Sequence, residues 1–210
     1  MYCKYQGIQT IMAIKNVVFD FGGVLVAWDP RHLYRKYFKT ESEVEYFLSN
    51  VCTDEWNTDL DRGEPFEKLI QERIAKFPEF EEPIRFFKDR WEEMIYCAKD
   101  ETVEFIFELK AGGYRLYGLS NWSAETFPIA LKKYQFFELF DGIVISGQEG
   151  VVKPNDEIYK ILFDRYDLKP YESVFIDDKE INVKAGEALG MPGIVFDNIE
   201  TVKRKFAELK

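Results

Sequence analysis

Three apolar runs in this chain end in side chains capable of chemistry. Val17-Val18-Phe19 leads into Asp20 and Gly22-Gly23, Leu116-Tyr117-Gly118-Leu119 into Ser120-Asn121, and Val174-Phe175-Ile176 into Asp177-Asp178. In an open α/β sheet, ligands gather beyond the carboxyl ends of the strands, where the strand order switches direction. Strands ending this way would set a carboxylate, a hydroxyl and an acidic pair around one cavity. Each residue alone reads equally well as a cap on a following helix, because Asp and Ser accept hydrogen bonds from exposed backbone N–H groups. Their joint occurrence at three strand ends favours a site. Between the second and third of these runs lies Val151-Val152-Lys153-Pro154-Asn155. A lysine just before a helix start can neutralise clustered carboxylates and an incoming anion, although Lys-Pro by itself is commonly a solvated turn.

Two further runs, Ile143-Val144-Ile145 and Ile194-Val195-Phe196, bring the strand-length segments to five, each nearly continuous rather than alternating. Such strands suit burial on both faces, in a parallel sheet covered by helices. Helical patterns lie between them. Val103, Ile106, Phe107 and Leu109 run to Gly112-Gly113; Ile158, Ile161, Leu162 and Tyr166 follow a capping Asn155; Ala185, Ala188 and Leu189 precede Gly190. From about residue 30 to 98 no strand is expected. Phe66, Leu69, Ile70 and Ile74 form one helical stripe behind Pro65, and Ile84, Phe87, Trp91 and Ile95 form another. The expected architecture is α/β: a parallel-sheet core of residues 14–30 and 99–210, interrupted by a small helical unit at 31–98, with hinges near 28–31 and 97–101. Residues 1–13 read as a mobile N-terminal extension with no assigned function.

Composition narrows the function classes. Against 28 Lys plus Arg stand 38 Asp plus Glu, a net charge of −10 that repels polyanions and argues against sequence-independent nucleic-acid binding or an anionic membrane surface. A local basic pocket for an anionic metabolite remains compatible with it. With 46% hydrophobic and 31% charged residues the chain is globular. It has neither a run of about 20 apolar residues nor a signal-peptide core, so a soluble cytoplasmic protein is expected. Cys3, Cys52 and Cys97 are odd in number and without a CxxC pair, which fits reduced thiols.

The ordered motifs resemble the haloacid dehalogenase-like hydrolase superfamily over essentially the whole chain after residue 15. The match rests on the strand ending in Asp20, Leu119-Ser120-Asn121, Lys153-Pro154, and Phe175-Ile176-Asp177-Asp178 followed by Asn182. The Asp20-Phe21-Gly22-Gly23 start and Asp61-Arg62-Gly63-Glu64 look most like bacterial sugar-phosphate phosphatases of the glucose-1-phosphate type. The resemblance implies a Rossmann-like core with an inserted all-helical cap, and a phosphatase acting on a small phosphorylated metabolite. In that reading Asp20 attacks phosphorus to form an aspartyl phosphate, splitting one hard displacement into two. Asp20, Asp177 and the Gly22 carbonyl hold Mg²⁺, a hard cation that prefers oxygen, with Mn²⁺ able to substitute. Ser120 and Lys153 stabilise the transferring oxygens, and the backbone amides of Phe21, Gly22 and Asn121 add donors. Asp178 either binds the metal through water or orients Lys153. Asn182 either turns back toward this cluster or caps its own helix.

One position departs from the family pattern. Most phosphatases of this superfamily carry a second aspartate two residues after the nucleophile as general acid–base, and here that residue is Gly22. Losing such a group typically forfeits about a hundred- to ten-thousand-fold, which favours easily expelled anomeric or acyl phosphates. His32, the only histidine, is expected to lie at the surface or to pack rather than to replace the missing acid. Substrate choice belongs to the cap, where Asp61 and Arg62 are candidate substrate contacts alongside Asn121, and Trp56 is expected to anchor an interhelical loop. Two alternatives compete: a metal-independent 2-haloacid dehalogenase, and a non-catalytic phosphometabolite-binding protein. The acidic pair Asp177-Asp178 speaks against the first, being unfavourable unless a cation sits between the charges. Retention of Asp20, Ser120 and Lys153 speaks against the second. Either a monomer or a homodimer is compatible with the sequence.

Overall fold

The computed structural model describes residues 13–209. The expected extension, apart from its last residue, lies outside the described residues, as does Cys3.

Four of the five apolar runs form strands complete, and the fifth nearly so: β1 (Asn16–Phe19), β4 (Arg115–Ser120), β5 (Gly142–Ile145), β6 (Ser173–Asp177) and β7 (Gly193–Val195) make one parallel sheet ordered β5-β4-β1-β6-β7. Their continuity follows from burial on both faces. Val17 and Phe19 enter one apolar cluster with Leu116, Val174 and Ile176, while Val18 enters the opposite cluster with Tyr117, Leu119 and Phe175. Phe196 falls just past β7 but still donates its amide to the Asp177 carbonyl at 2.8 Å. Helices Asp100–Ala111, Asp156–Tyr166, Glu180–Ala188 and Ile199–Glu208 connect or follow the strands. Asn155 caps the second of these, its side chain accepting from the Glu157 amide at 2.9 Å.

Strand order decides where the site falls. The chain leaves β1 toward β4 and β5 on one side, then crosses back to β6 and β7 on the other, so a topological switch lies at the carboxyl end of β1. Register does the rest. Phe19 is level with Gly118 on β4 and Ile176 on β6, which sets Asp20 beside Asp177 and one residue short of Ser120.

The expectation of no strand between residues 30 and 98 is corrected. β2 (Val26–Trp28) and β3 (Ile95–Ala98) pair antiparallel in a second, two-stranded sheet at the root of the helical insertion. The helix Glu81–Asp89 stops at Arg90 (φ −121°), and one 3₁₀ turn follows over Trp91–Met94, so Ile95 belongs to β3 rather than to the preceding helical stripe. Three- and four-residue strands that are half exposed show too little periodicity to be read from sequence. Between them run helices Pro30–Tyr34, Glu41–Asn50, Asp54–Asp61, Phe66–Lys76 and Glu81–Asp89. Thr40 and Glu43 form a reciprocal capping box, and Thr53 accepts from the Trp56 amide to start the third helix. The apolar centre of this insertion, including Phe47, Trp56 and Phe87, is continuous with the core cluster on the Val17/Phe19 face of the sheet. Among the described residues no helix is long and apolar enough to cross a membrane.

Removing the Asn155 cap tests the local reading. Asn155→Ala is expected to lower stability by about 1 kcal/mol, which for a chain of this size shifts Tm by about 2–4 °C in a thermal melt.

Candidate active site

The β1 strand delivers Asp20 to the switch point with its backbone amide bonded to the Ile176 carbonyl at 2.8 Å. Three donors meet its Oδ1: the Phe21 amide at 2.7 Å, the Ser120 hydroxyl at 2.6 Å and Lys153 Nζ at 3.0 Å. Oδ2 takes part in none of these contacts. The chain then turns tightly, with the amides of Val24, Leu25 and Val26 all directed at the Phe21 carbonyl. Gly23 makes this turn possible: its φ is +76°, and a Cβ there would sit 2.3 Å from Asp178 Oδ2. At Gly22, by contrast, a Cβ would meet nothing within 4 Å.

Lys153 is the centre of the cluster. Its side chain is 0% exposed and its Nζ donates to Asp177 Oδ2 at 2.6 Å and to the Leu119 carbonyl at 2.8 Å, besides pairing with Asp20. Asn121 holds the lysine's backbone, accepting from the Lys153 amide at 2.8 Å and donating to its carbonyl at 3.1 Å. Its side chain is thus engaged in positioning Lys153 rather than turned to a substrate. Asn182 turns back, as one of its two expected placements had it, and donates to Asp177 Oδ1 and Oδ2 at 3.0 and 3.1 Å. The Lys179 amide adds a bond to Asp177 Oδ1 at 2.8 Å. Asp177 therefore spends both oxygens on protein donors, while Asp178 is exposed beside Gly23. One oxygen each from Asp20, Asp177 and Asp178 lie within 4.8 Å of one another.

The electrostatics follow from burial and crowding. Burial pushes the Asp20 carboxyl above the usual carboxylate range, with Lys153 opposing it and Asp177 adding to it. Burial raises Asp178 in the same way, helped by the Asp177 charge. Lys153 is held above its ordinary value: burial disfavours its charge, but Asp20 and Asp177 together outweigh that.

The insertion contributes one more ionisable group. Asp61, at the end of helix Asp54–Asp61, is half-buried and hydrogen-bonded through Oδ2 to Asn57 Nδ2 at 3.1 Å. Burial pushes its carboxyl up to about 7, against the pull of Lys179, of a bond from the Ser123 amide and of Lys153, and with the Asp20 charge reinforcing the rise. Arg62 does not join the cluster: it is exposed and pairs with Asp59 at 2.7 Å. His32 is exposed and stacks on Tyr96 with ring centres 4.6 Å apart, and Trp56 is packed edge-on against Phe87 in the insertion's core.

Sequence reasoning missed Lys99 and Ser146. Lys99 Nζ donates to the Gly23 carbonyl, and its amide to the Leu25 carbonyl at 2.8 Å, so the end of β3 supports the turn after Asp20. Ser146 Oγ accepts from the Trp122 amide at 2.9 Å and donates to the Asp61 carbonyl at 2.5 Å, joining the ends of β4 and β5 to the insertion. Neither contact leaves a local signal, since each bridges segments far apart in the chain.

A family model for haloacid dehalogenase-like hydrolases matches residues 14–190. The chain is 26% identical over 182 residues to the sesquiterpene phosphatase astK of Aspergillus oryzae, covering 86% of this chain and 88% of that protein. It is 24% identical over 189 residues to the D-ribitol-5-phosphate phosphatase of Bacteroides thetaiotaomicron, covering 84% and 89% respectively. Two other relatives are longer proteins, of which the chain spans 36% and 19%. Among solved structures, a HAD family enzyme from Bacteroides thetaiotaomicron, an Asp-to-Ala mutant in complex with magnesium and inorganic phosphate, superposes with a TM-score of 0.71 at 19% identity. That match covers 88% of this chain and 95% of the other.

Lys153→Met should leave Asp20 and Asp177 without their shared cation and destabilise the fold by about 3–5 kcal/mol. Adding Asp177→Asn should recover part of that loss in urea denaturation, and a single substitution with no effect would contradict this account of the cluster. Asp61 predicts a stability slope of defined sign. Because its folded pKa is raised to about 7 from 3.8, its contribution is fully present below about 3.8 and is lost as pH rises to about 7. Asp61→Asn should therefore flatten the decline in unfolding free energy across that interval, read by denaturant titration at several pH values.

Proposed function

Since the chain belongs to the haloacid dehalogenase-like hydrolase family, we propose that it is a magnesium-dependent phosphatase of small phosphate monoesters, with Asp20 as nucleophile and sugar phosphates as the substrate class. The observation that carries this reading is the convergence of a lysine with no exposed side-chain surface, the Ser120 hydroxyl and three clustered carboxylates at one strand switch. A donor set of carboxylate oxygens fits a hard divalent cation. Asp20, Asp178 and the Gly22 carbonyl would hold it. The sequence reading put Asp177 in that set, but the bonds of Asp177 to Lys153, Asn182 and Lys179 suit it better to positioning the lysine. When bound, magnesium supplies the positive charge that lets a phosphate dianion approach a carboxylate.

The chain's own groups account for the remaining steps. Asp20 attacks phosphorus, forming an acyl phosphate on its carboxylate and releasing the alcohol. Ser120 and Lys153, both bonded to Asp20 Oδ1, would stabilise the phosphoryl oxygens as charge shifts onto them, each by turning its Asp20-directed proton toward the phosphate. Water then cleaves the acyl phosphate and regenerates Asp20. The helical insertion acts as the cap that reads the rest of the substrate. A cavity of about 220 Å³ in the insertion, lined by Arg31, Ser49, Thr53, Asp54 and Asn57 together with Trp28, Leu48 and Phe87, is separate from the strand-end cluster and is not needed for this reading. The relative that acts on D-ribitol 5-phosphate supports the sugar-phosphate class.

The test is phosphate release from glucose 1-phosphate, glucose 6-phosphate, acetyl phosphate and p-nitrophenyl phosphate, with magnesium or EDTA. Turnover is expected only with magnesium, and Asp20→Asn should abolish it. Chloride release from 2-chloropropionate without magnesium, and no phosphate release from any ester, would instead establish the dehalogenase reading.

A further inference from the structure

Gly22 leaves the site with no proton donor next to the nucleophile on β1, and the space above it is open: a Cβ built there meets no atom within 4 Å. A group from elsewhere in the fold must enter that space if the leaving oxygen is to be protonated. The helical insertion holds a carboxyl next to the segments that follow β4 and β5. Asp61 ends the helix Asp54–Asp61, and that helix end is docked onto the loops that follow β4 and β5. Ser146 Oγ donates to the Asp61 carbonyl at 2.5 Å, and Gly63 lies so close to Gly147 that a Cβ there would sit 2.8 Å from the Gly147 carbonyl oxygen. Asn57 holds the Asp61 carboxyl at 3.1 Å and also lines the cavity of the insertion. Asp61 therefore stands at the point where the insertion is fastened to the segment following β5, beside the strand ends that carry Asp20 and Ser120.

We propose that Asp61 is the general acid–base of this site, acting from the helical insertion in place of the side chain that Gly22 lacks. The inference rests on the phosphatase reading. In the first half-reaction the carboxylate of Asp20 attacks phosphorus and the bond from phosphorus to the alcohol oxygen breaks. That oxygen keeps the electron pair and takes the proton of Asp61. In the second half-reaction Asp61, now ionised, takes a proton from water while the water oxygen attacks phosphorus. The bond from phosphorus to Asp20 breaks, its electron pair returns to the Asp20 carboxylate, and inorganic phosphate leaves with Asp61 protonated again. The charged groups acting on Asp61 are Lys179, Asp20 and Lys153, and with burial they hold its carboxyl at about 7, where both half-reactions proceed near neutrality. The same assignment lifts the restriction to easily expelled leaving groups that Gly22 alone would impose.

Asp61→Asn separates the two half-reactions. With p-nitrophenyl phosphate, whose leaving group needs no acid, the variant should show a full pre-steady-state burst of p-nitrophenolate followed by turnover slowed by about a hundred-fold or more. With glucose 6-phosphate the single-turnover rate should fall as well, by about a hundred- to ten-thousand-fold. In the wild type kcat/KM for glucose 6-phosphate should decline above pH about 7, and that limb should vanish in the variant. Asp61→Glu should restore part of the rate, and so should Gly22→Asp placed in the Asp61→Asn background, which returns a carboxyl to the open space. Thermal melts of each variant with magnesium and phosphate verify folding. Wild-type rates in Asp61→Asn, a change in KM alone, or loss of the burst along with turnover in a folded variant would overturn the role of Asp61. A wild-type protein without magnesium-dependent phosphate release would overturn the phosphatase reading itself, and the two failures are distinct.

Discussion

Lys153, its side chain without exposed surface between Asp20 and Asp177, is the interaction on which the rest of the site depends. Two carboxylates at adjacent strand ends repel strongly where water is excluded, and the two cannot both stay ionised there without a shared cation. Much of the surrounding structure serves that lysine. Asn121 holds its backbone from the end of β4, the Leu119 carbonyl takes one of its protons, and Asn182 and the Lys179 amide fix Asp177 from the following helix. Such a fully bonded polar network is rigid because each member left unpaired would carry the desolvation penalty of a buried polar group. Rigidity is what the proposed role of Asp20 as nucleophile needs, since it must present an oxygen in a fixed direction.

The division of labour within the acidic pair follows from the same accounting of hydrogen bonds. Asp177 has none of its oxygens to spare, whereas Asp178 faces the turn at Gly23 and solvent. The turn is in turn tied to the insertion, because Lys99 at the end of β3 reaches the Gly23 carbonyl. The ribbon of β2 and β3 thus links the loop after Asp20 to both ends of the helical segment. On the other side of the site, Ser146 and Glu125 hold the insertion through the Asp61 carbonyl and the Phe66 amide. The helical segment is consequently fastened to the sheet at several points around the switch, and its apolar centre continues the core beneath.

Much of this was legible in the residues in order. The parallel sheet followed from five continuous apolar runs, since burial on both faces removes alternation. The chemical cluster followed from polar residues at the ends of three of those runs, and the cap at Asn155 from the residue type preceding a helical pattern. The β2–β3 ribbon was not legible, because strands of three and four residues with exposed positions carry no periodic signal and their pairing joins segments about seventy residues apart in sequence.

What the sequence by itself determined was which side chains would reach the carboxyl ends of the strands, because periodicity and strand length are local properties. Only the tertiary structure decided what each of them does there. Asn121 and Arg62 look like contacts for a ligand in sequence, yet the first is engaged with the backbone of Lys153 and the second with Asp59. Asp61 looks no different from Asp59 two residues earlier, but the carboxyl of Asp61 is bonded to Asn57 and raised by burial while that of Asp59 pairs with Arg62 at the surface. Charge state and role depend on solvent exclusion and on partners from distant segments, and those exist only once the chain has folded.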